Sequence, residues 1–277
     1  MTESLPHVYL QRDDAHPGLV HIVLNRAEKK NALNFAMWQL LAQAVATVAH
    51  DPAARVVIVR ARAGAGSGDG ASGPAFAAGG DIAEFPLRRA NAADNRIYNS
   101  QVRAAVAGLR ELACATIAMI DGPCVGGGME IAVACDLRFA ATTARFGVPP
   151  AKLGFVYDVW ETSLLMELIG PGRAKDLLFS GRLIDAQEAY AMGLVERVVS
   201  SQALEQETFA YAHALLANAH NSIVGAKDIV NALVDGASPQ SPDLAQIVDA
   251  ALDSPHYREG VAAFIERRPP AFPTSLT

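Results

Sequence analysis

Asp121-Gly122-Pro123-Cys124-Val125-Gly126-Gly127-Gly128-Met129-Glu130 is the stretch on which the fold and the chemistry both turn. It follows Ile117-Ala118-Met119-Ile120, a short apolar run that reads as a strand, and it leads into an apolar helix from Met129 to Cys135. Gly122-Pro123 turns the chain between the two. Three glycines in a row at a strand-to-helix junction let a ligand approach the backbone closely. The first N–H groups of the helix have no partner within it, so they can stabilise negative charge. No Gly-Lys-Ser/Thr follows, which excludes a P-loop, and the spacing is not the Gly-x-Gly-x-x-Gly of dinucleotide sites. Glu130, one turn into the helix, projects near these amides, where a carboxyl could move protons while the amides hold an oxyanion. The same residues also fit tight helix packing, with Glu130 complementing the helix dipole.

A second signal lies upstream, in Phe76-Ala77-Ala78-Gly79-Gly80-Asp81. Asp81 followed by Glu84 fits a capping pair for a short helix. The Gly80 N–H could also face a ligand oxygen. Further outward, Leu19–Leu24, Arg55–Arg60 and Leu137–Ala140 read as strands. Asn34 can cap a helix whose apolar positions Met37, Trp38, Leu41, Val45 and Val48 recur at helical spacing. The segment 96–113 repeats that period, and helical patterns dominate beyond residue 180 apart from Leu194–Val199. The Gly-, Ser- and Ala-rich segment Gly64–Pro74 reads as a mobile loop. Strands alternating with helices predict an α/β core with mostly parallel pairing.

With 277 residues, 51% of them apolar, the chain has ample material for one large core. The net charge of −6 argues against a general nucleic-acid binder, so an anionic ligand would need a local basic patch. Cys114, Cys124 and Cys135 lie in apolar stretches without zinc-site pairing and read as buried thiols in a reducing compartment. No apolar leader and no long apolar run is present, so a cytoplasmic protein with no membrane partner is expected, and no metal site is expected.

The two glycine motifs, in this order and 47 residues apart, resemble the enoyl-CoA hydratase/isomerase (crotonase) family. Asn25-Arg26-Ala27-Glu28-Lys29-Lys30-Asn31-Ala32-Leu33-Asn34 is similar to the family's N-terminal signature. Phe146-Gly147-Val148-Pro149, Gly170-Pro171-Gly172-Arg173-Ala174, Ser180-Gly181-Arg182 and Gly193-Leu194-Val195 match its middle segments, and Glu259–Pro269 its ending. The resemblance spans about Leu19 to Phe272. It implies a spiral of ββα units over residues 1–200 and a helical trimerisation region over residues 201–277. It further implies a homotrimer or a dimer of trimers. The Gly80 and Gly127 amides would form an oxyanion hole for a thioester carbonyl. Coenzyme A would enter only as part of an acyl-CoA substrate, with no permanently bound cofactor. Its candidate contacts are Arg26, Lys29, Lys30, Ala78, Asp81 and Ile82, with Phe264 and Arg267 from a neighbouring subunit's tail.

The sequence departs from the hydratase pattern at one point. Hydratases of the family use two glutamates, and Glu130 matches the first. Pro150, which cannot titrate, stands where the second is expected, and Phe155-Val156-Tyr157-Asp158 replaces a glycine-rich run. Three readings follow. Glu130 alone could shuttle a proton between carbons, as in isomerase-like members. Tyr157 could be the polar group at the reacting end, as in a decarboxylase-like branch. Asp158 could act as nucleophile or acid/base, as in a dehalogenase-like branch. Tyr157 also fits a packed aromatic with one hydroxyl partner, and Asp158 a helix N-cap that Glu161, three residues on, also fits. A non-catalytic acyl-CoA-binding scaffold is the alternative outside enzyme chemistry.

Overall fold

The apolar runs Leu19–Leu24 and Val56–Val59 are buried without a break, and strands of this kind belong inside a sheet covered on both faces. The computed structural model describes residues 5–62 and 74–273 and realises that expectation. Its strands are β1 (Val8–Arg12), β2 (Leu19–Leu24), β3 (Val56–Ala61), β4 (Ala115–Ile120), β5 (Pro123–Val125), β6 (Leu137–Ala141), β7 (Arg145–Gly147), β8 (Ile184–Asp185) and β9 (Arg197–Val199). The larger sheet runs β1-β2-β3-β4-β6-β9, parallel throughout except for the antiparallel β1–β2 pair. The smaller sheet, β5-β7-β8, carries the glycine motif.

The helices are α1 (Phe35–Ala49), α2 (Phe85–Arg88), α3 (Ala92–Glu111), α4 (Gly127–Ala134), α5 (Val159–Ser180), α6 (Ala186–Ala191), α7 (Ser201–Leu216), α8 (His220–Val234), α9 (Pro242–Leu252) and α10 (Pro255–Glu266). Side chains of a strand alternate between faces, and the two faces of the large sheet feed two cores. Val20, Ile22, Leu24, Val57 and Val59 pack with α1, α3, α4 and α5. Leu19, Val56, Ile58, Ile117 and Phe139 pack with Leu204 and Ala212 of α7. So α7 closes the second face of the sheet, whereas α9 buries no residue fully and α8 only His220.

Asn34 caps α1 as expected, its side chain accepting from Met37 N at 2.9 Å. Asp81 caps the short turn after it by accepting from Ala83 N, but Glu84 does not complete that box. Its carboxylate instead accepts from Phe35 N at 2.8 Å and holds the first turn of α1. Helix α3 begins at Ala92, four residues before the expected start, because the Asn91 side chain accepts from Ala93 N and Asp94 N. Strand β1 lies in a segment the sequence reading left without structure. The expectation of mobility for Gly64–Pro74 falls, apart from Pro74, outside the described residues. No described helix is long and apolar enough to cross a membrane.

Candidate active site

Three backbone segments are laced side by side to form the floor of the site. Ala77 pairs with Cys124 of β5, Ala77 N donating to Pro123 O and Val125 N to Ala77 O, both at 3.0 Å. On the other side Leu33 bridges Gly80, with Leu33 N donating to Gly79 O at 2.7 Å and Asp81 N to Leu33 O at 2.8 Å. That ladder uses the Gly79 carbonyl and the Asp81 N–H and leaves the Gly80 N–H unbonded among the described residues. Gly127 opens α4, so its N–H also lacks an intrahelical acceptor. The helix therefore begins two residues earlier than the sequence pattern indicates.

The approach is close because the glycines permit it. Gly126 sits at φ +50°, and a Cβ on Gly128 would lie 2.6 Å from the Ala77 carbonyl oxygen. A Cβ on Gly127 would lie only 3.7 Å from the Gly80 nitrogen, so the two glycine motifs meet. Both open onto one cleft with about 720 Å³ of empty space, part of it open to solvent.

Glu130, on the first turn of α4, lines the same cleft. Burial, followed by the nearby Glu161 charge, pushes its carboxyl up from 4.5 to about 8, against the opposing pull of Arg89. Tyr157 and Asp158 also line the cleft, and so does Pro150. The Tyr157 hydroxyl donates to Gly126 O at 3.3 Å and its ring is buried. Asp158 caps α5 through Trp160 N at 3.3 Å. It also accepts from Asn99 Nδ2 at 2.7 Å and Arg103 Nη2 at 3.2 Å. The structural roles weighed for Tyr157 and Asp158 are thus both present, alongside their place in the cleft.

Of the candidate CoA contacts, Ala78 and Ile82 line the cleft, each with an exposed surface. Lys29 and Lys30 are exposed on the turn whose Lys30 carbonyl accepts from Ala78 N. Arg26 is instead turned inward, donating to Ala32 O at 2.8 Å and to Asp81 at 2.7 Å. That hydrogen bond holds the Asp81 carboxyl below its ordinary value. The pair ties the N-terminal signature to the Gly80 segment. Phe264 and Arg267 lie exposed on the helical tail and do not line the cleft.

Two cleft residues escaped the sequence reading. Glu161, read only as part of a cap, is buried, with Oε2 unpartnered among the described residues. Arg89 follows α2 within residues 88–106, a segment the sequence assigns to the acyl pocket without giving its side-chain directions. Trp38, an apolar position of α1 in the sequence pattern, meets Tyr98 across the cleft wall, its Nε1 donating to the Tyr98 hydroxyl at 3.0 Å.

Residues 14–275 match the family model for enoyl-CoA hydratase/isomerase. The chain belongs to the enoyl-CoA hydratase/isomerase family. Among relatives, a mitochondrial methylglutaconyl-CoA hydratase from Mus musculus is 31% identical over 94% of this chain and 81% of its own length. An enoyl-CoA isomerase/hydratase from Mycosarcoma maydis is 29% identical over 95% and 96% of the two chains. An enoyl-CoA hydratase/carnithine racemase from Magnetospirillum magneticum superposes with a TM-score of 0.89 at 36% identity, covering 98% and 97% of the two chains. An enoyl-CoA hydratase from Bacillus anthracis gives 0.87 at 30%, covering 96% and 99%. The α/β architecture is therefore the crotonase fold, and the protein is an enzyme-family member acting on acyl-CoA.

Proposed function

We propose that this crotonase-family protein is an acyl-CoA lyase or isomerase that stabilises a thioester enolate between the Gly80 and Gly127 amides. Glu130 moves the proton at the α-carbon. The observation that carries this reading is the meeting of the two glycine motifs with Glu130 in one open cleft. Two fixed N–H donors outside water stabilise an oxyanion strongly, each supplying roughly 2.7–4 kcal/mol. A carboxyl that titrates at about 8 is matched to taking up and returning a proton near neutrality.

Pro150 leaves the first carboxyl without the usual second. Of the groups that could replace it, the Tyr157 hydroxyl is spent on Gly126 O and Asp158 already accepts three hydrogen bonds. Glu130 has no side-chain partner among the described residues, which favours a shuttle led by Glu130, with buried Glu161 as a further carboxyl in the cleft, over a reaction led by Tyr157 or Asp158. An open cleft also favours catalysis over a scaffold that only binds.

Coenzyme A enters with the substrate, not as a resident cofactor. Exposed Lys29 and Lys30 supply the positive charge that its phosphates require. Helices α8–α10 expose Val230, Leu233, Val248, Leu252, Phe264 and Ile265, an apolar surface suited to subunit contact. On this reading the active form is a homotrimer or a dimer of trimers, and the oligomerisation region expected over residues 201–277 is its part beyond α7, since α7 covers the sheet. Phe264 and Arg267 then reach the CoA of a neighbouring subunit. Three unpaired, buried cysteines fit a cytoplasmic setting.

A panel of acyl-CoA thioesters assayed for hydration, double-bond migration and CO₂ release tests the proposal. Glu130→Gln should lower turnover of the true substrate by about 100-fold or more, while Tyr157→Phe and Asp158→Asn should cost less. Unchanged turnover in Glu130→Gln excludes it as the proton carrier.

A further inference from the structure

Arg89 is the one cation among the described residues that line the cleft. Its guanidinium carbon lies 4.8 Å from the Phe85 ring centroid, 5.1 Å from that of Tyr98 and 4.6 Å from that of Phe155. Nε donates to Asn95 Oδ1 at 2.6 Å, which fixes the plane of the group. The two terminal nitrogens have no partner among the described residues. A guanidinium boxed by aromatic faces is held in place and partly desolvated, with its outer fork still to be used.

The other charged groups of the cleft do not satisfy it. Asp158 is engaged by Arg103 and Asn99. Glu130 and Glu161 are both driven toward the uncharged acid by burial. An incoming anion therefore meets one cation, and burial works against charge on both of these carboxyls. Arg89 lines the same cleft as Glu130 and pulls its titration down, so the fork and the candidate proton carrier face one space.

We propose that Arg89 is a subsite for a carboxylate on the acyl group, so that the preferred substrates are CoA thioesters of short dicarboxylic acids. The fork formed by Nη1 and Nη2 matches both oxygens of a carboxylate, and Asn95 and the three rings hold it ready. A methyl-ended acyl chain of equal length would enclose the same cation without a partner, which is unfavourable. The inference rests on the acyl-CoA reading above and adds to it the chemistry of the acyl end.

The test measures binding by calorimetry, independently of turnover, with two saturated thioesters of equal carbon number, glutaryl-CoA and pentanoyl-CoA. Malonyl-CoA and propanoyl-CoA form a second pair that locates the carboxylate along the chain. In the wild type, at least one carboxylated member should bind about tenfold or more tightly than its neutral counterpart. Arg89→Met should bring that ratio to within about threefold, and Arg89→Lys should restore part of it. Circular dichroism and the melting temperature establish that both variants fold. Equal wild-type affinities within each pair, or a preference that survives in folded Arg89→Met, overturn the inference while leaving the acyl-CoA reading in place. Absence of binding by all four thioesters overturns both.

Discussion

Replacing Glu130 with Gln should stabilise the protein, and do so only above mildly acidic pH. The Glu130 carboxyl is raised from 4.5 to about 8. In the unfolded chain it ionises near 4.5, so between these two values the folded state binds a proton that the unfolded state has released. Stability then falls as pH rises through that window, by about 1.4 kcal/mol per pH unit, and is level on either side. The full window corresponds to about 5 kcal/mol. Because Glu130 is half-buried on a cleft partly open to solvent, roughly 2–5 kcal/mol is the expected range. Gln has nearly the same shape and never ionises, so the variant escapes this cost. Urea unfolding of wild type and Glu130→Gln, measured from pH 4 to pH 9, should give curves that coincide at the acid end and diverge to that range at the alkaline end. A stability difference of constant size across the series would refute the claim that Glu130 is a desolvated carboxyl. Loss of activity together with this gain is expected of a group kept for chemistry rather than for the fold.

Three further outcomes follow from the packing. Gly128→Ala places a Cβ 2.6 Å from the Ala77 oxygen, so denaturation should show a loss of about 1–3 kcal/mol, with activity lowered as the two glycine segments separate. Arg138 is buried, is paired with Glu196 and donates to the carbonyls of Leu194 and Cys135; Arg138→Leu should therefore cost about 3–5 kcal/mol in the same assay. Cys114, Cys124 and Cys135 are buried, and burial raises the Cys114 and Cys135 thiols to about 12, so a thiol reagent should label none of them in the native protein and all three in guanidinium.

Much of this architecture was legible because it is written in local patterns. The strand Leu19–Leu24, the Asn34 cap and the glycine junction before α4 each depend on neighbouring residues and were readable one at a time. The fold itself and the pairing of Gly80 with Gly127 came from family resemblance, since no periodicity brings residues 47 positions apart together. The parts that stayed hidden are those made by tertiary contact. Glu84 fits a local cap but serves the Phe35 amide instead. Arg26 reads as a candidate contact for CoA, yet Asp81 draws it inward. Glu161 looks like the third residue of a cap, and only its burial against the cleft shows it as a candidate for chemistry. Arg89 gains meaning only when Phe85, Tyr98 and Phe155, from three separate segments, close around it.

The proposed chemistry depends on one oxygen held by two backbone nitrogens. The most direct measurement is a crystal structure of the protein with a bound, slowly reacting acyl-CoA. The thioester oxygen should lie about 2.7–3.1 Å from both the Gly80 and the Gly127 nitrogen, with the α-carbon facing Glu130. A complex in which that oxygen touches only one of these amides, or points away from both, would contradict it.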